Sequence, residues 1–218
     1  MRRTLTAVLL LLLTLTGCAV APAAAGSDKR MPAHVLESPP EFTVAAVGDS
    51  FTSWTVWRGI PNYPSWTKAL PASVGFEGEG WAQGYATLAQ MARNVHSVDA
   101  DVLVVMGGTN DLWDTPVADR LASIDVIVTD AQAPRVLLAA VPPVVGQGPL
   151  VTAWDATLSS FAATRGWTFV DPWVDVRAPG DEWIDPSFTV DGIHLTQAAA
   201  DLAAARIAEA ATRLFEGR

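Results

Sequence analysis

The sequence has one cysteine, three histidines and no run of basic residues. A single cysteine leaves no partner for an internal disulfide, so packing alone must stabilise the fold. His34, His96 and His194 are scattered, and no cluster of His, Cys and carboxylates has metal-ligand spacing, so neither a metal nor another cofactor is expected. With 14 basic against 23 acidic residues the net charge is −9, which argues against nucleic acid as a partner and against electrostatic docking on anionic lipid. The longest apolar run, Leu5 to Leu15, is too short to span a bilayer, which takes about 20 residues. There is no internal repeat and no break in composition. One α/β domain, expected as a monomer, therefore fits the 218 residues.

What is present begins with Phe42 to Ser53. An apolar, β-branched-rich run from Phe42 to Val47 stops at Gly48, and the first hydroxyl after the break is Ser50. A parallel strand buried on both faces reads as continuously apolar, and in open α/β sheets ligands bind beyond the carboxyl ends of the strands. Ser50 is thus placed at the mouth of a cleft. Gly48-Asp49-Ser50 taken alone also reads as an ordinary turn.

The N-terminus has the layout of a secretory signal: Met1-Arg2-Arg3 is positive, the apolar run follows, and Leu15-Thr16-Gly17-Cys18 closes it. That last stretch resembles the lipobox of bacterial lipoproteins, which implies a signal peptide at 1–17 and lipid on Cys18. The competing reading is a plain signal cleaved after a small residue such as Ala25. Residues 18–40, rich in Ala, Pro, Gly and Ser, read as a flexible tether, with the folded domain at 41–218. Loss of Arg2 and Arg3 with the signal leaves 12 basic against 23 acidic residues, a balance of −11. The expected address is the outer face of the cytoplasmic membrane, reached through the lipid anchor, or the medium.

Further along, Trp54 to Pro64 is too rich in Pro and aromatic residues for a long helix and is expected to wall the cleft, with one short helical piece over Ser65 to Leu70. Ala72 to Phe76 reads as a second strand, and Glu77 to Gly84 as irregular because of its glycines. Tyr85 to Arg93 reads as a helix. Asp101 to Met106 is the clearest strand, ending in Gly107-Gly108-Thr109-Asn110-Asp111. Pro116 to Ala131 is a helix with Leu121, Ile124 and Val128 on one face. Arg135 to Val141 is the next strand, stopped by Pro142-Pro143. Leu150 to Thr164 is a helix ended by Gly166, and Trp167 to Val170 is the last strand. Thr196 is placed to cap a final helix, Gln197 to Phe215. Strands alternating with helices predict a three-layer α/β/α sandwich around a central, mainly parallel five-stranded sheet.

Asp191-Gly192-Ile193-His194 gives Ser50 its significance. A serine hydroxyl needs a base to act as a nucleophile at neutral pH. Histidine, with an ordinary pKa of about 6.5, is the common choice, held in the right tautomer by a carboxylate. Asp191 and His194, three residues apart across a Gly-containing turn, could meet at the ring nitrogen that faces away from Ser50.

Together, Gly48-Asp49-Ser50, Gly107-Gly108-Thr109-Asn110-Asp111 and Asp191-Gly192-Ile193-His194 resemble, in order and spacing, the blocks of the SGNH hydrolases, or GDSL-type esterases. The resemblance spans nearly all of the domain and implies a flavodoxin-like fold. It also implies Ser50 as nucleophile, His194 as base, Asp191 as its orienter, and an oxyanion hole made by the N–H of Ser50, the N–H of a glycine and the side chain of Asn110. The glycine block departs from the family pattern, since Glu77-Gly78-Glu79-Gly80-Trp81-Ala82-Gln83-Gly84 carries no Asn. Gly84 is the expected donor and Gly80 the alternative. Phe51 and Thr52 stand where the family often has leucine, a packing position.

Nine tryptophans are many for one domain, and Trp54, Trp57, Trp81 and Trp113 lie close to the blocks, where they could stack on sugars or simply pack under loops. The expected activity is hydrolysis of carboxylic esters, with short acyl groups such as O-acetyl on glycans as substrate. The rivals are a lipase- or thioesterase-like hydrolase, an acyltransferase of the same fold, and a catalytically idle glycan-binding lipoprotein of the envelope.

Overall fold

A computed structural model describes residues 40–53 and 64–217. The expected signal peptide, Cys18, nearly all of the expected tether, Trp54 and Trp57 lie outside these residues. Five strands build one sheet: β1 (Phe42–Gly48), β2 (Val74–Ala82), β3 (Val102–Met106), β4 (Val136–Ala139) and β5 (Thr168–Val170). All neighbours are parallel, in the order β2-β1-β3-β4-β5. The chain runs outward to β2 and then reverses past β1 to β3. The loops leaving β1 and β3 therefore diverge and open a crevice at their carboxyl ends, as expected for this strand order.

Side chains on alternate positions of each strand enter two separate cores. Val44 and Ala46 of β1 and Val102, Val104 and Met106 of β3 face helix α4 (Gln197–Phe215). Val47, Leu103, Val105 and Leu138 face helices α1 (Leu88–Asn94), α2 (Val117–Ala131) and α3 (Gly148–Arg165). Alanines at 199, 200, 203, 204, 208, 210 and 211 give α4 a buried face of small side chains. α3 presents Val151, Trp154, Leu158 and Phe161, at spacings of three and four, to the other core.

Several elements differ from the sequence expectation, each for a local reason. β2 does not stop at Phe76 but continues through the glycine-rich stretch to Ala82. Its pairing with β1 skips a residue between Val44 and Ala45 and again between Ala46 and Val47. These irregularities absorb Glu77 and Gly80, so the period of two is broken while the ladder survives. α1 begins at Leu88 rather than Tyr85, because Thr87 and Gln90 form a reciprocal capping box that fixes its start. Thr196 occupies the N-cap position of α4, yet its hydroxyl donates to the carbonyl of Ser187 instead of capping the helix. β5 is not the last strand: a small antiparallel hairpin follows, β6 (Arg177–Ala178) and β7 (Glu182–Trp183). No helix among the described residues is long and apolar enough to cross a membrane.

Candidate active site

Ser50 lies in a tight turn directly after β1. The N–H groups of Thr52 and Ser53 both donate to the Asp49 carbonyl, at 3.1 and 2.9 Å, and Phe51 N–H donates to Asp49 Oδ1 at 3.2 Å. Asp49, Phe51 and Thr52 are buried, whereas Ser50 between them is only half-buried. Ser65 and Trp66 brace the turn from below, through Ser65 Oγ to the Thr52 carbonyl at 2.9 Å and Trp66 Nε1 to Thr52 Oγ1 at 3.1 Å. The serine is thus presented by a rigid, buried frame.

Gly48 pairs with Met106, so the turn after β3 stands beside the turn after β1. Gly108 begins it with φ of +112°, and an added Cβ there would run into the Trp154 indole, whose Nε1 donates to the Gly107 carbonyl at 3.2 Å. Glycine is required on both counts. Asn110 follows, and its amide donates to the Ala86 carbonyl at 2.9 Å. An amide NH2 carries two hydrogens, so Ala86 fixes its direction while leaving a second donor.

Gln83 N–H donates to the Gly48 carbonyl at 3.2 Å, which brings the loop after β2 to the same edge. Ala86 N–H closes a turn onto the Gln83 carbonyl, and Gly84 is the second residue of that turn, where the N–H takes no part in the turn's own bond. The third residue, Tyr85, is held at φ of +64°, a conformation rare for an aromatic residue. Gly80 lies elsewhere, inside β2 against Val47 and Val98. Of the two candidate glycines, Gly84 is at the mouth.

Asp191 and His194 come together as a pair. Asp191 Oδ2 lies 2.9 Å from His194 Nδ1, while Oδ1 accepts the N–H groups of Ile193 at 3.1 Å and His194 at 2.8 Å. Burial by itself raises the Asp191 pKa, but those donors and the imidazole outweigh it and hold the carboxyl below its ordinary range. An ionised carboxylate only accepts, so Nδ1 carries a proton toward it. The Phe51 ring, next to Ser50, packs 5.8 Å from the His194 ring, centroid to centroid, which sets the imidazole beside the serine turn.

Sequence reasoning overlooked the carboxyls beneath this site. Asp49 is fully buried, and its Oδ2 has no hydrogen-bond partner among the described residues. Burial, reinforced by the charge of Asp111, pushes its pKa up to about 7 against the pull of the Phe51 N–H. Asp111 is also raised by burial, a shift opposed by the Leu88 N–H, Thr115 and Arg120. Arg120 is itself buried, its guanidinium 4.5 Å above the Trp154 ring. The available signal was a carboxylate adjoining the proposed nucleophile at the end of a mainly apolar strand. Of the four tryptophans singled out in the sequence, Trp81 packs partly buried against a core, and Trp113 is 52% exposed with its Nε1 donating to Gln147 Oε1 at 3.1 Å.

A doubly wound parallel sheet whose strand ends gather a serine turn, a carboxylate-held histidine and an amide donor has the layout of an esterase. Residues 46–202 match the GDSL-like lipase/acylhydrolase family. The chain belongs to that family and is a carboxylic ester hydrolase. No curated protein matches it. Among solved structures it resembles a putative lipolytic protein of the G-D-S-L family from Desulfitobacterium hafniense (16% identity, 77% of this chain and 98% of that one, TM-score 0.62). It also resembles a putative acylhydrolase from Bacteroides fragilis (19% identity, 79% and 88%, TM-score 0.60). A third is a catalytic mutant of an acetylxylan esterase from Geobacillus stearothermophilus (13% identity, 83% and 96%, TM-score 0.56).

Proposed function

We propose that the protein is a serine esterase with Ser50 as nucleophile, His194 as base and Asp191 as orienter, acting on short acyl esters, above all O-acetyl groups of glycans. The observation that carries this reading is the Asp191–His194 pair, in which one carboxylate oxygen is spent on backbone donors and the other fixes Nδ1. Ser50 Oγ attacks the ester carbonyl carbon as Nε2 takes its proton. The negative oxygen is received by the N–H groups of Ser50 and Gly84 and the amide of Asn110, each donor worth about 2.7 to 4 kcal/mol in the transition state. Nε2 then gives the proton to the departing alcohol. Water repeats the sequence on the acyl-enzyme, so the acid is released and Ser50 restored.

Two features support the glycan ester. Trp113 offers an exposed ring whose orientation is fixed through Gln147, three residues beyond Asn110. The acetylxylan esterase it resembles was solved as two catalytic mutants, one lacking a histidine and the other an aspartate three positions before it, the spacing found here. The lipobox-like Cys18 supports attachment to the outer face of the membrane.

Hydrolysis of p-nitrophenyl acetate, butyrate and octanoate tests the assignment beside Ser50→Ala. Serine-dependent turnover falling with chain length is expected. An active Ser50→Ala variant would sink the assignment. Preference for octanoate would favour the lipase-like rival. Transfer of the acyl group to an added alcohol in preference to water would favour the acyltransferase, and folded wild-type protein that no serine-directed probe labels would favour the idle binder. Cys18→Ser should release the protein from the membrane fraction, and an unchanged distribution would reject the anchor.

A further inference from the structure

We propose that Trp183 is a positioning residue for the Asp191–His194 pair, acting through the carbonyl oxygen of Gly192, and that the β6–β7 hairpin is the clamp that holds it there. The inference rests on the reading of His194 as the base. Gly192 O accepts two hydrogen bonds, from Val145 N–H at 2.9 Å and from Trp183 Nε1 at 3.1 Å. That carbonyl belongs to the same peptide unit as the N–H of Ile193, which donates from the opposite side to Asp191 Oδ1. Because the peptide unit is planar, a grip on its oxygen fixes the direction of its N–H. Trp183 therefore orients the group that orients the carboxylate that orients the imidazole. Gly192 is at φ of +89°, and an added Cβ would press on Val145 Cγ2 at 3.1 Å, so the peptide unit is confined from this side as well.

The hairpin cannot supply this grip alone, since two strands of two residues each are too short for independent stability. It is secured at three points. Arg177, which pairs with Trp183 across the hairpin, sends its buried guanidinium to Asp155 at 3.0 Å, to Asp171 at 3.2 Å, to Asp181 and to the Val141 carbonyl at 3.1 Å. Glu182 accepts the Gly146 N–H at 3.0 Å, one residue from Val145, the other holder of Gly192. Asp181, in the hairpin turn, accepts from the Thr152 hydroxyl on α3. The elements that grip Gly192 are thereby bound to one another. Trp183 is buried at 9% exposure, so its indole N–H is a directed bond and not a solvated edge.

The test is Trp183→Phe, which keeps an aromatic ring in place and removes the donor. The kcat for p-nitrophenyl acetate should fall about 5- to 30-fold, the loss expected for about one misdirected hydrogen bond, with KM and thermal midpoint little changed. The downfield proton resonance of the Nδ1–H to Asp191 bond should shift or broaden. In an Asp191→Ala background the same change should cost almost nothing further, because the path it acts through is gone. Should the phenylalanine variant fold poorly, benzothienylalanine at 183 replaces only the N–H by sulfur and carries the same expectations. Unchanged kcat and resonance would overturn the proposal, as would a loss of equal size without Asp191. An active Ser50→Ala removes the whole site assignment, whereas an inactive Ser50→Ala beside a fully active Trp183→Phe removes only the clamp.

Discussion

Asp49 and Asp191 stand at the two halves of the proposed catalytic centre, and their carboxyls are driven in opposite directions. Asp49 is sealed beneath the serine turn with the backbone N–H groups of Phe51 and of Asp49 itself and a second carboxyl, Asp111, for company, and burial raises its pKa to about 7. Asp191 is partly open to solvent, meets two backbone donors and an imidazole, and is lowered. Local donors outweigh desolvation in one case and fail to do so in the other. Near neutral pH the first carboxyl is shared between its protonated and ionised forms, while the second stands as a charge.

The largest break in this contrast is expected from Asp191→Asn. Its oxygen would stay with the N–H groups of Ile193 and His194, which turns the NH2 toward Nδ1 and forces the ring proton onto Nε2. A base in the wrong tautomer should cost about 10³- to 10⁴-fold in kcat, measured with p-nitrophenyl acetate on protein of unchanged circular dichroism. Asp49→Asn is expected to act on stability instead. Since Asp49 has a folded pKa near 7 against an ordinary 3.8, the native state binds more protons between these values, and stability falls as pH rises through that window. At about 1.4 kcal/mol per pH unit of separation, urea denaturation should find the variant more stable than the parent above pH 7, by up to roughly 4 kcal/mol, and equal to it near pH 3. For Asp191 the sign is reversed: its contribution is present above the ordinary carboxylate range and lost as pH falls through its lowered value. The smallest effect is expected from Asp111→Asn, which removes a neighbouring charge but not the burial. The Asp49 titration followed by carboxyl carbon resonance should move below 7 without reaching the ordinary range, and a midpoint that stays put would assign the whole shift to desolvation.

The two halves of the centre were unequally legible in the sequence. β1 and β3 announce themselves because strands buried on both faces are almost wholly apolar, and α4 because alanines with threonine ahead of them read as one helix. Ser50, Asn110, Asp191 and His194 stand at or beyond such ends, where a polar residue is conspicuous. The second strand was hidden by its own irregularities, which disrupt alternation without ending the ladder. The β6–β7 hairpin carries no periodicity, since two residues cannot display one. Trp183 therefore read as one of many tryptophans, its value fixed only when the fold brought Gly192 to its indole. The start of α1 could have been found, because Thr87 and Gln90 have capping-box spacing.

The alanine face of α4 has an evolutionary corollary. The helix begins three residues after His194 and lies on the sheet mainly through alanines, which cannot shrink without becoming glycine and cannot grow without lifting the helix away. That half of the protein has almost no neutral neighbours in sequence space. Inheritable variety is expected instead at exposed side chains such as Val190. Lineages built on this scaffold should therefore diverge in what they admit to the mouth long before they diverge in how the histidine is held.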